Sequence, residues 1–250
     1  STADSFGFAK KAPPPVAPPI VLPPNQNHGE FVLRVMTYNI HGLPAPSNDT
    51  TRFRDIGREL KSRRNRGVAP HVVAVQEAFT NWYRDMIQES GYRYKKDGNG
   101  PGGGGAIVGS GLSILSDLPM TAAQNRDFDS NNLVGFDWQA RKGMQYVQVR
   151  IPGLSTPINF FNTHMQADYD DWTASLQESI SARMRQQTEL QRFLYDLASP
   201  YGPAVFVGDF NTRVGLPDYS GLGRQLALEN SAEPCSIRGV CETTVDPLQD

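Results

Sequence analysis

The sequence predicts an α/β fold built on a mixed sheet, and three observations support this. After residue 31, apolar runs of strand length alternate with amphipathic stretches of helical period. Several strand-like runs stand close enough together for hairpins, so antiparallel pairs accompany parallel ones. The 250 residues can bury a large core, and layered α/β folds of this size are routinely one domain.

The elements follow in order. Residues 12–24 hold seven prolines in thirteen positions. Each fixes φ and removes a backbone donor, so this segment reads as a stiff tail or linker spanning 1–30, ahead of a domain at 31–250. A ligand for a proline-binding module is the less economical reading. Phe31–Asn39 is a strand that alternates at its start. Thr51–Arg66 is a helix with Phe53, Ile56 and Leu60 on one face; its seven Lys or Arg residues form the solvated side. His71–Glu77 is a strand and Thr80–Ser90 a helix presenting Trp82, Met86 and Ile87. Strands are expected at 105–108, 112–115, 133–138, 144–151 and 157–162. Ala174–Ala198 is a long amphipathic helix with Leu176, Ile180, Met184, Leu190, Leu194 and Leu197 apolar; it packs rather than reacts. Ala204–Val207 is the last strand.

Gly98–Gly111 contains eight glycines and matches G-x-G-x-x-G at Gly98, Gly100 and Gly103. A dinucleotide site is rejected, because strand-forming Ala106-Ile107-Val108 follows instead of a helix whose N-terminus would hold a pyrophosphate. A loop entering a strand fits better.

Composition narrows the function. The formal charge of −2 and pI of 6.1 supply no global basic field for nucleic acid, which counts mildly against a high-affinity binder. No stretch approaches the ~20 apolar residues that span a bilayer, so a soluble protein is expected. Cys235 and Cys241 lie close together in a loop-like stretch. A short disulfide in an exported protein is preferred over a pair of free thiols. The chain starts without a methionine, which points to processing or trimming.

The strongest signal lies at strand ends. Val205-Phe206-Val207 runs into Gly208-Asp209-Phe210-Asn211, and Ile158–Phe161 runs into Asn162-Thr163-His164. A buried strand has no internal use for such groups, which cost free energy unless hydrogen-bonded. Taken singly, Gly208-Asp209 reads as a turn and His164 as a satisfied core histidine. Two further runs end the same way, on Asn39 and on Gln76-Glu77. An amide, a carboxylate, an imidazole and an Asp-x-Asn pair form a hard-oxygen set suited to Mg²⁺ or Mn²⁺ rather than zinc. Such a cation beside His and Asp equips a protein to hydrolyse a phosphate ester.

Thr37-Tyr38-Asn39, Gln76-Glu77, Asn162-Thr163-His164 and Gly208-Asp209-Phe210-Asn211 together resemble the successive signatures of the endonuclease/exonuclease/phosphatase superfamily, which includes deoxyribonuclease I and the neutral sphingomyelinases. The resemblance spans Asn39 to Asn211. Gly42-Leu43-Pro44, Gly111–Ser116 before Pro119, Lys142-Gly143, and Gln166-Ala167-Asp168 after His164 resemble the sphingomyelinase-like branch. The resemblance implies a four-layer α/β sandwich, two mixed sheets facing each other with helices outside.

It also implies a Mg²⁺-dependent phosphodiesterase cleaving a phospholipid headgroup such as sphingomyelin. Glu77 would bind the metal, with Asn39 as co-ligand or phosphate-orienting group. His164 would donate to the phosphate, its pKa raised by nearby carboxylates; Asp209 would orient the water or the imidazole. Asn211 would donate its amide to the pentacovalent phosphorus, and Lys142 is a substrate-contact candidate, although a lone lysine at a strand entry reads more simply as solvated. The competing readings are a nuclease on DNA or RNA, an inositol-phosphate hydrolase with a compact basic pocket, and a degenerate binding module. Exposed aromatics such as Tyr169 or Trp172 at the rim would suit lipid; an Arg/Lys groove would suit nucleic acid. The protein is expected to be a secreted monomer that does not insert stably into a membrane.

One departure stands out. Members of the superfamily end on a Ser-Asp-His whose histidine is the general base, and here no histidine follows His164. His28 and His41 are poor substitutes. The expectation is a chain cut short, whose parent continues past Asp250 and whose 250-residue piece turns over little.

Overall fold

The computed structural model describes residues 31–43, 51–81, 83–100, 108–198 and 202–226. The proline-rich segment, Trp82, both cysteines and residues 227–250 lie outside them, as do residues 105–107 of the strand expected at 105–108. Val108 makes only an isolated bridge to Ala140.

The elements run β1 (Val35–Asn39), α1 (Thr51–Asn65), β2 (Val72–Gln76), α2 (Tyr83–Ser90), β3 (Tyr94–Asp97), β4 (Ser113–Ser116), β5 (Met120–Asp127), β6 (Gly143–Val149), β7 (Ile158–His164), α3 (Leu176–Leu197), β8 (Ala204–Asp209) and α4 (Pro217–Leu226). Short 3₁₀ turns occupy Ser130–Asn132 and Gly135–Gln139. The strands form two four-stranded sheets, ordered β1-β2-β4-β3 and β5-β6-β7-β8. Each sheet has one parallel pair, β1 with β2 and β7 with β8, and its other pairs are antiparallel. A parallel pair needs a crossover, supplied here by α1 and by α3. Each sheet therefore contributes one βαβ unit, and the two units build the site.

Strand alternation assigns the layers. Val73, Val75 and Leu115 pack with Phe53 and Leu60 of α1 and Met86 of α2. Met144, Tyr146 and Phe161 pack with Leu190 and Phe193 of α3 and Leu226 of α4. The opposite faces meet between the sheets, where Gln76 donates to Asn162 at 2.7 Å and Asn162 donates to the Val75 carbonyl at 3.2 Å. Helices thus lie outside two facing sheets, and amides rather than aliphatic side chains help join the sheets.

The expected faces of α1 and α2 hold: Phe53, Leu60 and Met86 are buried, and Ile56 and Ile87 pack against them. Along α3, Ile180 and Leu190 are buried but Met184 is 42 % exposed. Its place inside is taken by Arg183, Gln186 and Gln187, so this helix does more than pack. A Ser175–Glu178 capping box starts it.

The strand expected at 133–138 is absent. Gly135 adopts φ +60°, which breaks an extended run, and Asp137 turns inward while Phe136 and Trp138 remain exposed. Two strands not expected are β3 and β5, each at one edge of its sheet. Their sequences, Tyr-Lys-Lys-Asp and Met-Thr-Ala-Ala-Gln-Asn-Arg-Asp, are mostly exposed, as edge strands tolerate. Helix α4, also unexpected, carried a readable signal: Pro217 and Asp218 in its first turn.

Candidate active site

The four apolar runs end at one rim. Their last residues lie on the faces turned toward the opposite sheet, because Asn39 shares the face of Thr37, which bonds Gln76, and His164 shares that of Asn162. Asn39 ends β1. Its Nδ2 donates to Glu77 Oε1 at 2.9 Å and to Asp209 Oδ2 at 2.8 Å, joining the two βαβ units across 170 residues. Its Oδ1 accepts the His41 backbone N–H at 2.8 Å.

Glu77 follows β2 with φ +60°, a conformation that costs a non-glycine residue of order 1–3 kcal/mol and must be imposed by its surroundings. Ala78 N–H bonds the Gly111 carbonyl at 2.8 Å. Gly42 lies against the Glu77 carbonyl, where a Cβ would approach to 2.1 Å; only glycine fits there. Glu77 is buried, and its Oε2 has no hydrogen-bond partner; the exposed His41 places Nδ1 3.6 Å away.

At the end of β8, Gly208 presses against β7, and a Cβ would meet the Thr163 carbonyl at 2.3 Å. Asp209 Oδ1 accepts the Asn211 N–H at 3.0 Å, and Oδ2 lies 3.8 Å from His164 Nε2. His164 is buried and its Nδ1 has no hydrogen-bond partner. Burial first, and the Lys142 charge second, hold the imidazole well below its ordinary pKa. This corrects the expectation of a raised value: desolvation outweighs the neighbouring carboxylate. A neutral ring still offers one N–H and one lone pair.

Asn211, at φ +50°, donates Nδ2 to the Met165 carbonyl at 2.9 Å. The same carbonyl accepts Lys142 Nζ at 2.8 Å. Lys142 is 3 % exposed and pairs with Asp137 Oδ2 at 2.8 Å, which corrects its reading as a solvated lysine. Asn39, Glu77, His164 and Asp209 therefore form one cluster. Asn211 and Lys142 meet on Met165 beside it.

Sequence reasoning missed Asp137 and Arg183, the residues that hold the loop after His164. Asp137 Oδ2 also accepts the Ala167 N–H at 2.7 Å. Arg183 is fully buried, pairs with Asp218 and with Asp168 (2.6 Å to the latter), and donates to the Gln166 carbonyl at 3.1 Å. Gln186 accepts the Gln166 N–H at 2.9 Å. No local pattern marks Asp137, but a run Arg183-Gln186-Gln187 on the inner side of an amphipathic helix could have been noticed.

The donor set fits a hard divalent cation. Glu77 Oε2 is buried and without a hydrogen-bond partner and Asp209 stands near, although among the described residues no group of three or more His, Cys, Asp or Glu is gathered that could hold a metal ion by itself. Magnesium is commonly held this way, by one or two carboxylates with water and substrate phosphate.

The comparisons with known proteins agree with this architecture. Beta toxin from Staphylococcus aureus superposes with TM-score 0.67 at 20 % identity, covering 80 % of this chain and 73 % of that one. Another beta toxin structure contains bound magnesium ions. Sphingomyelinase C from Streptomyces griseocarneus gives TM-score 0.62 at 23 % identity over 80 % and 71 %. D. rerio TDP2, complexed with a single-strand DNA product, gives 0.52 at 16 % identity over 76 % and 64 %. At these identities the likeness concerns the fold. No curated protein sequence matches. The model of the Endonuclease/Exonuclease/phosphatase family matches residues 36–246, from the strand that carries Asn39 past the one that carries Asp209, and the chain belongs to that family.

Proposed function

We propose that this protein is a Mg²⁺-dependent phosphodiesterase that hydrolyses a phospholipid headgroup ester of the sphingomyelin type, and that it acts outside the cell. The observation that carries the reading is Glu77: a buried carboxylate with one oxygen unbonded, facing Asp209 through a shared Asn39 amide, with no lysine or arginine paired to either among the described residues. A divalent cation is the ligand that such a pair of carboxylates would suit. Fold similarity to a sphingomyelinase and to beta toxin supports lipid and export. So does the rim: Lys142, Arg183 and Arg213 are all bound to carboxylates, leaving these cations no groove for a nucleic-acid backbone.

The roles follow from position. Glu77 holds the cation, with Asn39 fixing its carboxylate against Asp209. A divalent cation held there would supply charge neutralisation at a phosphate oxygen and at the leaving oxygen. His164, with one N–H, hydrogen-bonds the phosphate; Asp209 orients that imidazole or the attacking water. Asn211, anchored on Met165, offers an amide to the phosphorus centre. Lys142 screens the charge of the same pocket without leaving Asp137.

The test is hydrolysis of sphingomyelin vesicles and single-stranded DNA side by side under Mg²⁺ titration. Saturable, Mg²⁺-dependent release of phosphocholine by the full-length protein, with DNA left intact, is expected. Cleavage of DNA alone would transfer the site to a nuclease, and turnover unaffected by chelation would remove the metal.

A further inference from the structure

We propose that Phe136 and Trp172 form a rigid aromatic platform that docks the site onto a bilayer presenting choline headgroups; this deepens the lipid reading above and rests on it. Phe136 and Trp172 are 45 % and 87 % exposed. Isolated exposed aromatics need no explanation, but grouped rings mark an interaction surface. Phe136 and Trp172 touch edge to face, their centroids 5.8 Å apart, although they come from separate segments.

The platform is fixed rather than loose. Between Phe136 and Trp138, Asp137 is buried and bound by Lys142 Nζ at 2.8 Å, Ala167 N–H at 2.7 Å and Tyr169 O–H at 3.3 Å. The Tyr169 ring packs on Gly135, where a Cβ would approach to 2.7 Å. Around Trp172, Asp171 Oδ1 accepts the Thr173 N–H at 2.7 Å, and its own N–H bonds the Ala174 carbonyl at 3.0 Å. Pre-set rings lose little entropy on docking. The platform also adjoins the site: Ala167 is the third residue past His164, and Lys142 shares the Met165 carbonyl with Asn211.

Charge selects the occupant. Asp168, Asp170 and Asp171 lead into Trp172. Arg183 and Arg213 neutralise Asp168, while Asp170 and Asp171 remain exposed. The nearby cations Arg141 and Lys142 are engaged by Asp127 and Asp137. An acidic rim repels anionic lipid, which recruits basic surfaces. A quaternary ammonium is the complementary group, because aromatic faces beside carboxylates attract it through cation–π and Coulomb terms together.

The experiment is co-sedimentation of the chelated, non-hydrolysing protein with vesicles of phosphatidylcholine and sphingomyelin, and with matched phosphatidylglycerol vesicles. Wild type is expected to bind choline vesicles more tightly. Phe136→Ala and Trp172→Ala should each weaken binding about tenfold, as loss of most of one inserted ring implies, and Trp172→Phe should restore most of it. Unaltered thermal unfolding identifies folded variants. Equal binding by a folded Trp172→Ala, tighter binding to phosphatidylglycerol, or no vesicle binding by wild type would overturn the platform. Wild-type hydrolysis of soluble bis(4-nitrophenyl) phosphate separates the two readings. Turnover without vesicle binding removes the platform and leaves the phosphodiesterase. Vesicle binding without turnover of any diester by the full-length protein keeps the platform and removes the enzyme.

Discussion

Two carboxylate clusters lie side by side at the rim of the sheets and differ in how their charge is met. In one, Asp137, Asp168 and Asp218 each face a cation, respectively Lys142, Arg183 with Arg213, and Arg183. In the other, Glu77 and Asp209 share only the Asn39 amide, with His41 and His164 at 3.6 and 3.8 Å. The closed cluster shapes the loop after His164. Among the described residues no lysine or arginine pairs with the open one. Neighbouring carboxylates are thus separated into framework and chemistry by their counter-ions rather than by burial, since both clusters include buried acids.

The largest effect should come from the open cluster. We predict that Glu77→Gln reduces phosphodiester turnover by the full-length protein at least ~10³-fold, since it removes the carboxylate proposed to hold the metal. The metal-free variant should unfold no earlier than metal-free wild type, because it loses an unbalanced charge. Thermal unfolding with and without Mg²⁺ reads this, and a Mg²⁺-induced rise in Tm that survives the substitution would contradict the assignment.

In the closed cluster the same kind of change should act on stability. Arg183→Met strands Asp218 and is expected to cost about 3–5 kcal/mol, whereas the double variant Arg183→Met/Asp218→Leu should recover much of that loss. Urea denaturation of both decides the point. An equal loss in single and double variants would mean that Arg183 packs rather than pairs.

Within the open cluster, His164→Ala and Asp209→Ala should each lower turnover ~100-fold or more, with a combined loss short of additive because both act on one phosphate. Two small, independent losses would move these residues to the framework.

The smallest effect concerns the two ends of β2. Glu77 lies just beyond one end, while His71, before the other, is held neutral. Burial first and Arg34 second lower His71 from 6.5 to about 4, and its Nδ1 accepts the Arg34 N–H at 3.0 Å. Between those values the unfolded chain binds a proton that the folded chain refuses. Stability is therefore full above pH 6.5 and falls as pH drops toward 4. Half exposure limits the loss to about 1–2 kcal/mol. His164, also depressed, acts in the same direction. Urea midpoints at pH 7.5 and 4.5, compared between wild type and His71→Gln, should show a shallower fall in the variant. Parallel curves would mean that His71 does not contribute.

The sequence by itself determined the apolar strands β1, β2, β7 and β8, the helices α1 and α3, and the residues at the strand ends. β2 and β7 are buried throughout and β1 and β8, although at sheet edges, are mostly half-buried, so their residue types are constrained and a polar group at the end of such a run is conspicuous. The edge strands β3 and β5 were invisible because an exposed edge demands no apolar pattern. The aromatic turn at 135–139 was misread as a strand, since Phe136 and Trp138 alternate as strand residues do while Gly135 and the buried Asp137 impose a turn. Tertiary structure alone decided which carboxylates have counter-ions, because Arg183 and Asp218, or Asn39 and Asp209, are brought together only by the packing of distant segments. It decided the protonation of His164 for the same reason: desolvation depends on what surrounds the ring, and local sequence does not contain that.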